Sequence, residues 1–360
     1  MVEFTCVGLD VHARSVTGCG INRKTGEIFE KKMSHDPGIV IDWLEGLPQP
    51  VRVVYEAGPT GYGLARVLTT AGIDCLIAAP SKLLPAPGGR VKTDRRDARH
   101  LAELVAANLI TQVCIPTPAQ ESARDLVRAR DGARGDLMRA RHRLGKLLLR
   151  HNMICEHKAW SGEHTKWLSK LQFDDPVLEQ VFDNNWMVVH QAQTRRDMLD
   201  KQIAELIPRS EWEPIVTALG CLRGVSALTG FGLAVEIGDW SRFDGSSIGS
   251  FVGLVPSERS SGVSRRLGGV TKTGNKYVRR LLVEAAWHHR SAYRPAVSVE
   301  LNKRWVKATP AMVARGDYAN RRLHAQWVNL SGKGKKKPLV SAAVAREMAG
   351  FCWSLAMMAT

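Results

Sequence analysis

Along the first hundred residues, apolar positions switch between period-two runs and short helical patches. Residues 4–10 (FTCVGLD) and 15–22 (SVTGCGIN) read as strands joined by a short turn. The stretch RKTGE is a glycine-containing hairpin turn that leads into IFEKKM. GIVIDWLEGL reads as a short helix ended by Pro48, and VRVVYEA as a β-branched, buried strand. TGYGLARVLTTAG predicts a helix closed by Gly72, IDCLIAAP another strand, and the run after Thr93 a further helix. The order β-β-β-α-β-α-β-α predicts an α/β sheet domain over 1–118.

The pattern changes at residue 119. Leu126, Ala133, Leu137, Ala140, Leu144 and Leu147 recur at steps near three and four, a seam of the coiled-coil kind. The other faces of that helix carry Arg124, Arg128, Arg130, Arg134, Arg139, Arg141, Arg143, Lys146 and Arg150. A second helical pattern around WMVVHQAQTRRDMLDKQIAELIP stops at Pro208. Residues 119–207 therefore predict a helical hairpin or an oligomerisation arm. Residues 208–360 form a third, mainly helical region. Its glycines Gly224 and Gly232 suggest a helix-hairpin-helix, in which backbone N–H groups approach a phosphate. A lysine run, GKGKKK, precedes a last apolar helix. The expected fold is thus multidomain, α/β followed by α.

Charge narrows the partner class. The 360 residues carry 51 Lys and Arg against 35 Asp and Glu, a formal net charge of +16. Such an excess favours a polyanionic partner, above all nucleic acid. No window approaches the roughly 18 apolar residues of a membrane span, and the N-terminus shows no secretory pattern. The seven cysteines are scattered without a C-x-x-C pair, which fits reduced thiols in a cytoplasm.

Against that basic background, four acids stand out. Asp10 ends the first strand and Glu56 ends the strand VRVVYE, where open α/β sheets place their ligands. Asp94 and Asp97 lie three apart in the first turn of a helix for which Thr93 is the expected N-cap, so they share one face. Helix-dipole and arginine pairing would account for that pair alone. Four clustered carboxylates, however, repel one another unless a cation sits among them. Oxygen donors favour Mg²⁺ or Mn²⁺, and in a polyanion-binding chain such ions point to phosphodiester chemistry. Arg95 and Arg96, beside these acids, are then expected to hold phosphate.

The stretch GLVPSERSSGVSRR places Ser257, Ser260, Ser261 and Ser264 between Arg259 and the pair Arg265 and Arg266. A serine hydroxyl needs a base, a metal or an electropositive site to act as nucleophile; the arginines supply such a field and suit bidentate phosphate contact.

Taken together, GLDVH, YEAGPTG, KTDRRDARHLAEL, LTGFGLAVEIGDWSRF and FVGLVPSERSSG…GGVTKTGNKYVRRLLVEAAW resemble the DEDD transposases of the IS110 insertion-sequence family and its sister group IS1111, in the family's order and nearly end to end. The resemblance implies a RuvC-like, RNase-H-type N-terminal domain, a coiled-coil insert and a C-terminal transposase domain. It maps the family's carboxylates onto Asp10, Glu56, Asp94 and Asp97, and its nucleophilic serine onto Ser261, next to Ser260. It implies recombination of double-stranded donor and target DNA guided by a structured non-coding (bridge) RNA. The enzyme would be a homo-oligomer, dimer or tetramer, with composite sites, in the bacterial cytoplasm at the nucleoid. Expected nucleic-acid contacts are Arg139 and Arg143 on the arm, Arg259, Arg265, Arg266 and Lys272 around the serine, and Lys335 and Lys336 in the tail.

Two other readings compete. A RuvC-like, structure-specific nuclease such as a Holliday-junction resolvase shares the acids but uses activated water. A non-catalytic scaffold would carry them for structure alone. The long region 209–360 disfavours the plain resolvase, which needs only the first domain and an oligomer contact.

Overall fold

The computed structural model describes residues 4–85, 93–261, 264, 266–295 and 298–360. The chain divides into two compact units, 1–117 and 118–360.

The first unit contains β1 (Thr5–Val11), β2 (Ser15–Asn22), β3 (Ile28–Ser34), α1 (Pro37–Glu45), β4 (Val51–Glu56), α2 (Gly63–Thr70), β5 (Asp74–Ala78) and α3 (Asp94–Ala106). The sheet order is β3-β2-β1-β4-β5. β1, β2 and β3 pair antiparallel, while β4 and β5 continue parallel to β1. This mixed α/β sheet is consistent with an RNase-H-like DEDD domain.

Period-two alternation gives each sheet face its own cover. Val7, Leu9, Val53 and Tyr55 bury themselves with Val40, Leu44, Ala65 and Leu68 of α1 and α2. Cys6 and Val54 face the other way and pack with Leu101 and Val105 of α3. That second face also carries Gly8 and Asp10 of β1 and Glu56 of β4. Gly8 is what lets α3 lie against the strand. A Cβ there would overlap the Ala98 carbonyl oxygen and sit 2.6 Å from the Ala102 nitrogen.

The second unit comprises α4 (Pro118–Arg150), α5 (Gly162–Leu168), α6 (Pro176–Leu206), α7 (Glu213–Leu219), α8 (Ala227–Ile237), α9 (Ser247–Phe251), β6 (Pro256–Glu258), β7 (Leu267–Val270), α10 (Lys276–Ala286), α11 (Val299–Trp305), α12 (Pro310–Gly332) and α13 (Lys337–Ala356). α4 and α6 pack side by side, tied by Arg130 to Asp200 and by Arg195 to Asp136. Those pairings run in opposite directions along the two helices, so they are antiparallel. Leu137, Ala140, Leu144 and Leu147 form one core with Phe182 and Val189. Nearer its start, α4 buries Ala123 and Val127 in the main core with Ile203, Phe231 and Leu282. The buried seam there runs through Ala123 and Val127, and Leu126 is only partly covered.

Three further details correct the sequence-based expectation. α6 begins at Pro176, ten residues before the Trp186 pattern, because Asp175 caps it by accepting from the backbone N–H groups of Val177 and Leu178. The arginines near the start of α4 are not a free basic face. Arg124 donates to the Val235 and Glu236 carbonyls, and Arg128 pairs with the buried Glu236 carboxylate at 2.7 Å. Gly232 lies inside α8, where a Cβ would come within 3.0 Å of Leu281 and 3.1 Å of the Tyr277 hydroxyl. Close packing on α10, and not phosphate approach, explains that glycine.

Candidate functional site

Asp10, one residue before the end of β1, and Glu56, the last residue of β4, lie on adjacent parallel strands, and the register Leu9↔Tyr55 places them side by side. Both line a cavity of about 1050 Å³ with His12, His35 and Thr60. α3 delivers the other two acids. Thr93 caps it, accepting from the Arg96 backbone N–H at 3.3 Å, and this fixes Asp94 and Asp97 in the first turn. Because Gly8 admits the helix so closely, its acidic end comes to the end of β1.

His12 sits between two of these acids. Its Nε2 lies 3.2 Å from Asp10 Oδ2 and 3.7 Å from Asp94 Oδ1. One donor atom from each of Asp10, His12 and Asp94 falls within 4.8 Å of the others. Burial pushes the Asp10 carboxyl pKa above its ordinary value; the charges of Asp94 and Asp97 push the same way, and His12 opposes them. The Asp94 carboxyl is held below its usual range, mainly by a hydrogen bond from Lys32, whose Nζ lies 3.4 Å away. Asp10, Thr17 and Lys32 form one row across β1, β2 and β3, so the sheet register itself brings the ammonium to the site. Arg95 pairs with Glu30 of β3, and Arg96 is exposed on the same turn.

These residues fit a divalent cation. Carboxylates from separate elements converge, and burial, reinforced by the charges of Asp94 and Asp97, raises the Asp10 pKa. Lys32 and His12 only partly offset it. Sequence reasoning missed His12 and Lys32. The signal for His12 was its spacing of two from Asp10, which keeps the same strand face.

Ser261 belongs to the second unit, on the two-stranded ribbon β6–β7. Ser261 and Ser264 exchange backbone hydrogen bonds of 3.1 Å at the ribbon's end, and the Arg259 N–H donates to the Arg266 carbonyl at 2.9 Å. Ser261, Arg259 and Arg266 are exposed; Arg265 lies outside the described residues. Ser260 donates to Glu258 at 2.7 Å, so its hydroxyl is engaged within the ribbon.

The base of the ribbon is tightly built. Gly253 and Gly274 have φ of +67° and +80°, and a Cβ on either would overlap the backbone of Thr273 or Phe251. Arg279 ties the two segments by donating to the carbonyls of Val252 and Thr273. Asn275 caps α10 and donates to Glu236 at 2.6 Å. The motif residues of GLVP and TKTGN thus form the mount of the serine ribbon, and Lys272 is exposed on it.

Arg139 is exposed on α4 and pairs with Asp136, and Arg143 is exposed one turn further. Lys335 and Lys336 are exposed immediately before α13, with Lys336 at its N-cap. Among the described residues, no helix is long and apolar enough to cross a membrane.

Comparison with known proteins places the chain in a family. Residues 7–153 match the DEDD transposases of the IS110 type, and residues 217–299 match the transposase IS116/IS110/IS902 family. The chain is 37% identical over 358 residues to the Sinorhizobium fredii protein named transposase y4qE, covering 97% of this chain and 88% of that one. It is 32% identical over 345 residues to the transposase for insertion sequence element IS1533 of Leptospira borgpetersenii, covering 92% and 97%. The chain therefore belongs to the IS116/IS110/IS902 family of transposases.

Proposed function

We propose that this transposase cleaves and exchanges DNA strands through a phosphoserine intermediate, with Asp10, Glu56, Asp94 and Asp97 acting on the scissile phosphate and Ser261 attacking it. The observation that carries the acidic half is the convergence of Asp10, His12 and Asp94 within 4.8 Å beside Glu56 and Asp97. Mg²⁺ or Mn²⁺ held by these carboxylates would supply the Lewis acidity that offsets charge developing on the phosphate.

The chain's own residues do the rest. Arg259 and Arg266 hold the phosphate oxygens at the ribbon. The Ser261 oxygen bonds to phosphorus as the bond to one strand oxygen breaks. The serine proton goes to solvent, and the departing strand oxygen takes a proton from solvent and leaves as a hydroxyl. Attack by another strand's hydroxyl on the phosphoserine reverses the step, so no external energy is needed.

Family resemblance also supports guidance by a structured RNA and action as a homo-oligomer at the bacterial nucleoid. Arg139 and Arg143 on the arm, Lys272, and Lys335 and Lys336 before α13 are the proposed contacts to RNA and to donor and target DNA; Arg95 and Arg96 flank the cleavage site. RNA should co-purify with the protein and dissociate steeply with salt, because each neutralised phosphate releases counterions.

Alanine at Asp10, Glu56, Asp94 or Asp97 tests the acidic site. Each variant should lose metal-dependent strand cleavage, a fall of about 10³-fold or more, while retaining nucleic-acid binding. Wild-type cleavage rates in two of the four would reject it.

A further inference from the structure

The acids of this site come with an imidazole, His12, to which the proposed strand-exchange chemistry gives no role of its own. His12 follows β1 directly, two residues after Asp10, and so stands on the same side of the strand. Its Nε2 approaches Asp10 and Asp94 at once, at 3.2 and 3.7 Å. The side chain is 55% exposed, so no core packing demands this placement.

Two elements have to agree for it. The turn after β1 sets His12, and the cap at Thr93 sets Asp94. A nitrogen between two carboxylate oxygens, each from a separate element, is the arrangement of a mixed nitrogen–oxygen ligand set. The neighbouring cation, Lys32, reaches only Asp94; no hydrogen bond or ion pair of the Lys32 ammonium to Asp10 is present among the described residues.

We infer that His12 is a direct ligand of the divalent cation at this site, giving it an imidazole nitrogen alongside the Asp10 and Asp94 carboxylates and a preference for Mn²⁺ over Mg²⁺. The inference rests on the metal-dependent reading above. The chemistry is that of donor hardness. Mg²⁺ binds oxygen and gives up water reluctantly, whereas Mn²⁺ accepts oxygen and tolerates nitrogen more readily. Removing the imidazole therefore costs Mn²⁺ more than Mg²⁺. An imidazole that only hydrogen-bonded to the acids would affect both ions alike.

Titrating Mn²⁺ into the full-length protein and recording pulsed electron paramagnetic resonance reads the ligand directly, without turnover. The expected result is a ¹⁴N coupling typical of a bound imidazole, present in the wild type, lost in His12→Ala and retained in His35→Ala. Mn²⁺ affinity should fall about tenfold in His12→Ala while Mg²⁺ affinity, from competition, changes less than about threefold. Mn²⁺ bound in an Asp10-dependent manner but without ¹⁴N coupling, or with coupling that survives His12→Ala, would overturn the inference and leave the metal site standing. Mn²⁺ binding indifferent to Asp10→Asn would overturn the metal site and the inference with it.

Discussion

Gly8 of β1 and Ala98 of α3 share space that only a glycine leaves open: a methyl group on Gly8 would lie well inside van der Waals contact distance of the Ala98 carbonyl oxygen. Through this contact a backbone requirement in a strand becomes the placement of two acids on a helix, because Asp97 immediately precedes Ala98 and Asp94 lies one turn before it.

Gly8→Ala should therefore act at a distance. Overpacking against backbone costs about 1–3 kcal/mol, and relief requires α3 to shift away from β1. A lowered thermal midpoint together with loss of Mn²⁺ binding is expected, although Gly8 itself offers no ligand. Full stability with unchanged Mn²⁺ affinity would contradict this role.

Glu236 makes a second test. Its side chain is 1% exposed, and it accepts from Arg128 at 2.7 and 3.0 Å and from Asn275 at 2.6 Å. Arg128→Ala leaves that carboxylate buried without its cation, at a cost of about 2 kcal/mol in denaturant unfolding. Arg128 is half exposed, which keeps the figure below that for a fully buried pair. Adding Glu236→Gln should recover part of the loss, since a neutral amide needs no counter-charge. A double variant less stable than Arg128→Ala alone would show that the carboxylate is not the liability.

Acid should weaken the second unit through His289. The residue is fully buried. Burial first, and the Arg223 charge second, push its imidazole pKa from 6.5 down to about 4. The unfolded chain then binds a proton that the fold refuses, so stability is full above 6.5 and falls as pH drops towards 4. Up to about 3 kcal/mol is at stake. Denaturation midpoints measured across that window should fall in the wild type and flatten in His289→Leu; an equal slope in both would assign the pH dependence elsewhere.

Much of this was legible from the chain itself. Period-two alternation and turn residues placed the strands and the helices between them, and the four acids were visible as strand-end and first-turn positions. What pattern reading missed was long-range. Nothing local says that Arg124 and Arg128 turn inward to Val235 and Glu236, because a helical arginine looks the same on a wet face and on a docking face. Gly232 looked like a phosphate-binding glycine, and only the approach of Tyr277 and Leu281 shows that it is a packing glycine. Lys32 reaches Asp94 through the register of three strands, which no spacing within one segment reveals. His12 was the exception: its spacing from Asp10 was there to be read.

The central claim is that strand exchange passes through a covalent link on the serine ribbon. Trapping the strand-exchange reaction of the full-length protein on DNA, with the proposed guide RNA supplied, then mapping the adduct by mass spectrometry, tests it most directly. The expected product is a phosphodiester link at Ser261, absent in Ser261→Ala and in Asp10→Ala, with Ser260→Ala still forming it. A link at Ser260, or strand cleavage with no protein adduct, would contradict it, the latter pointing to hydrolysis by activated water.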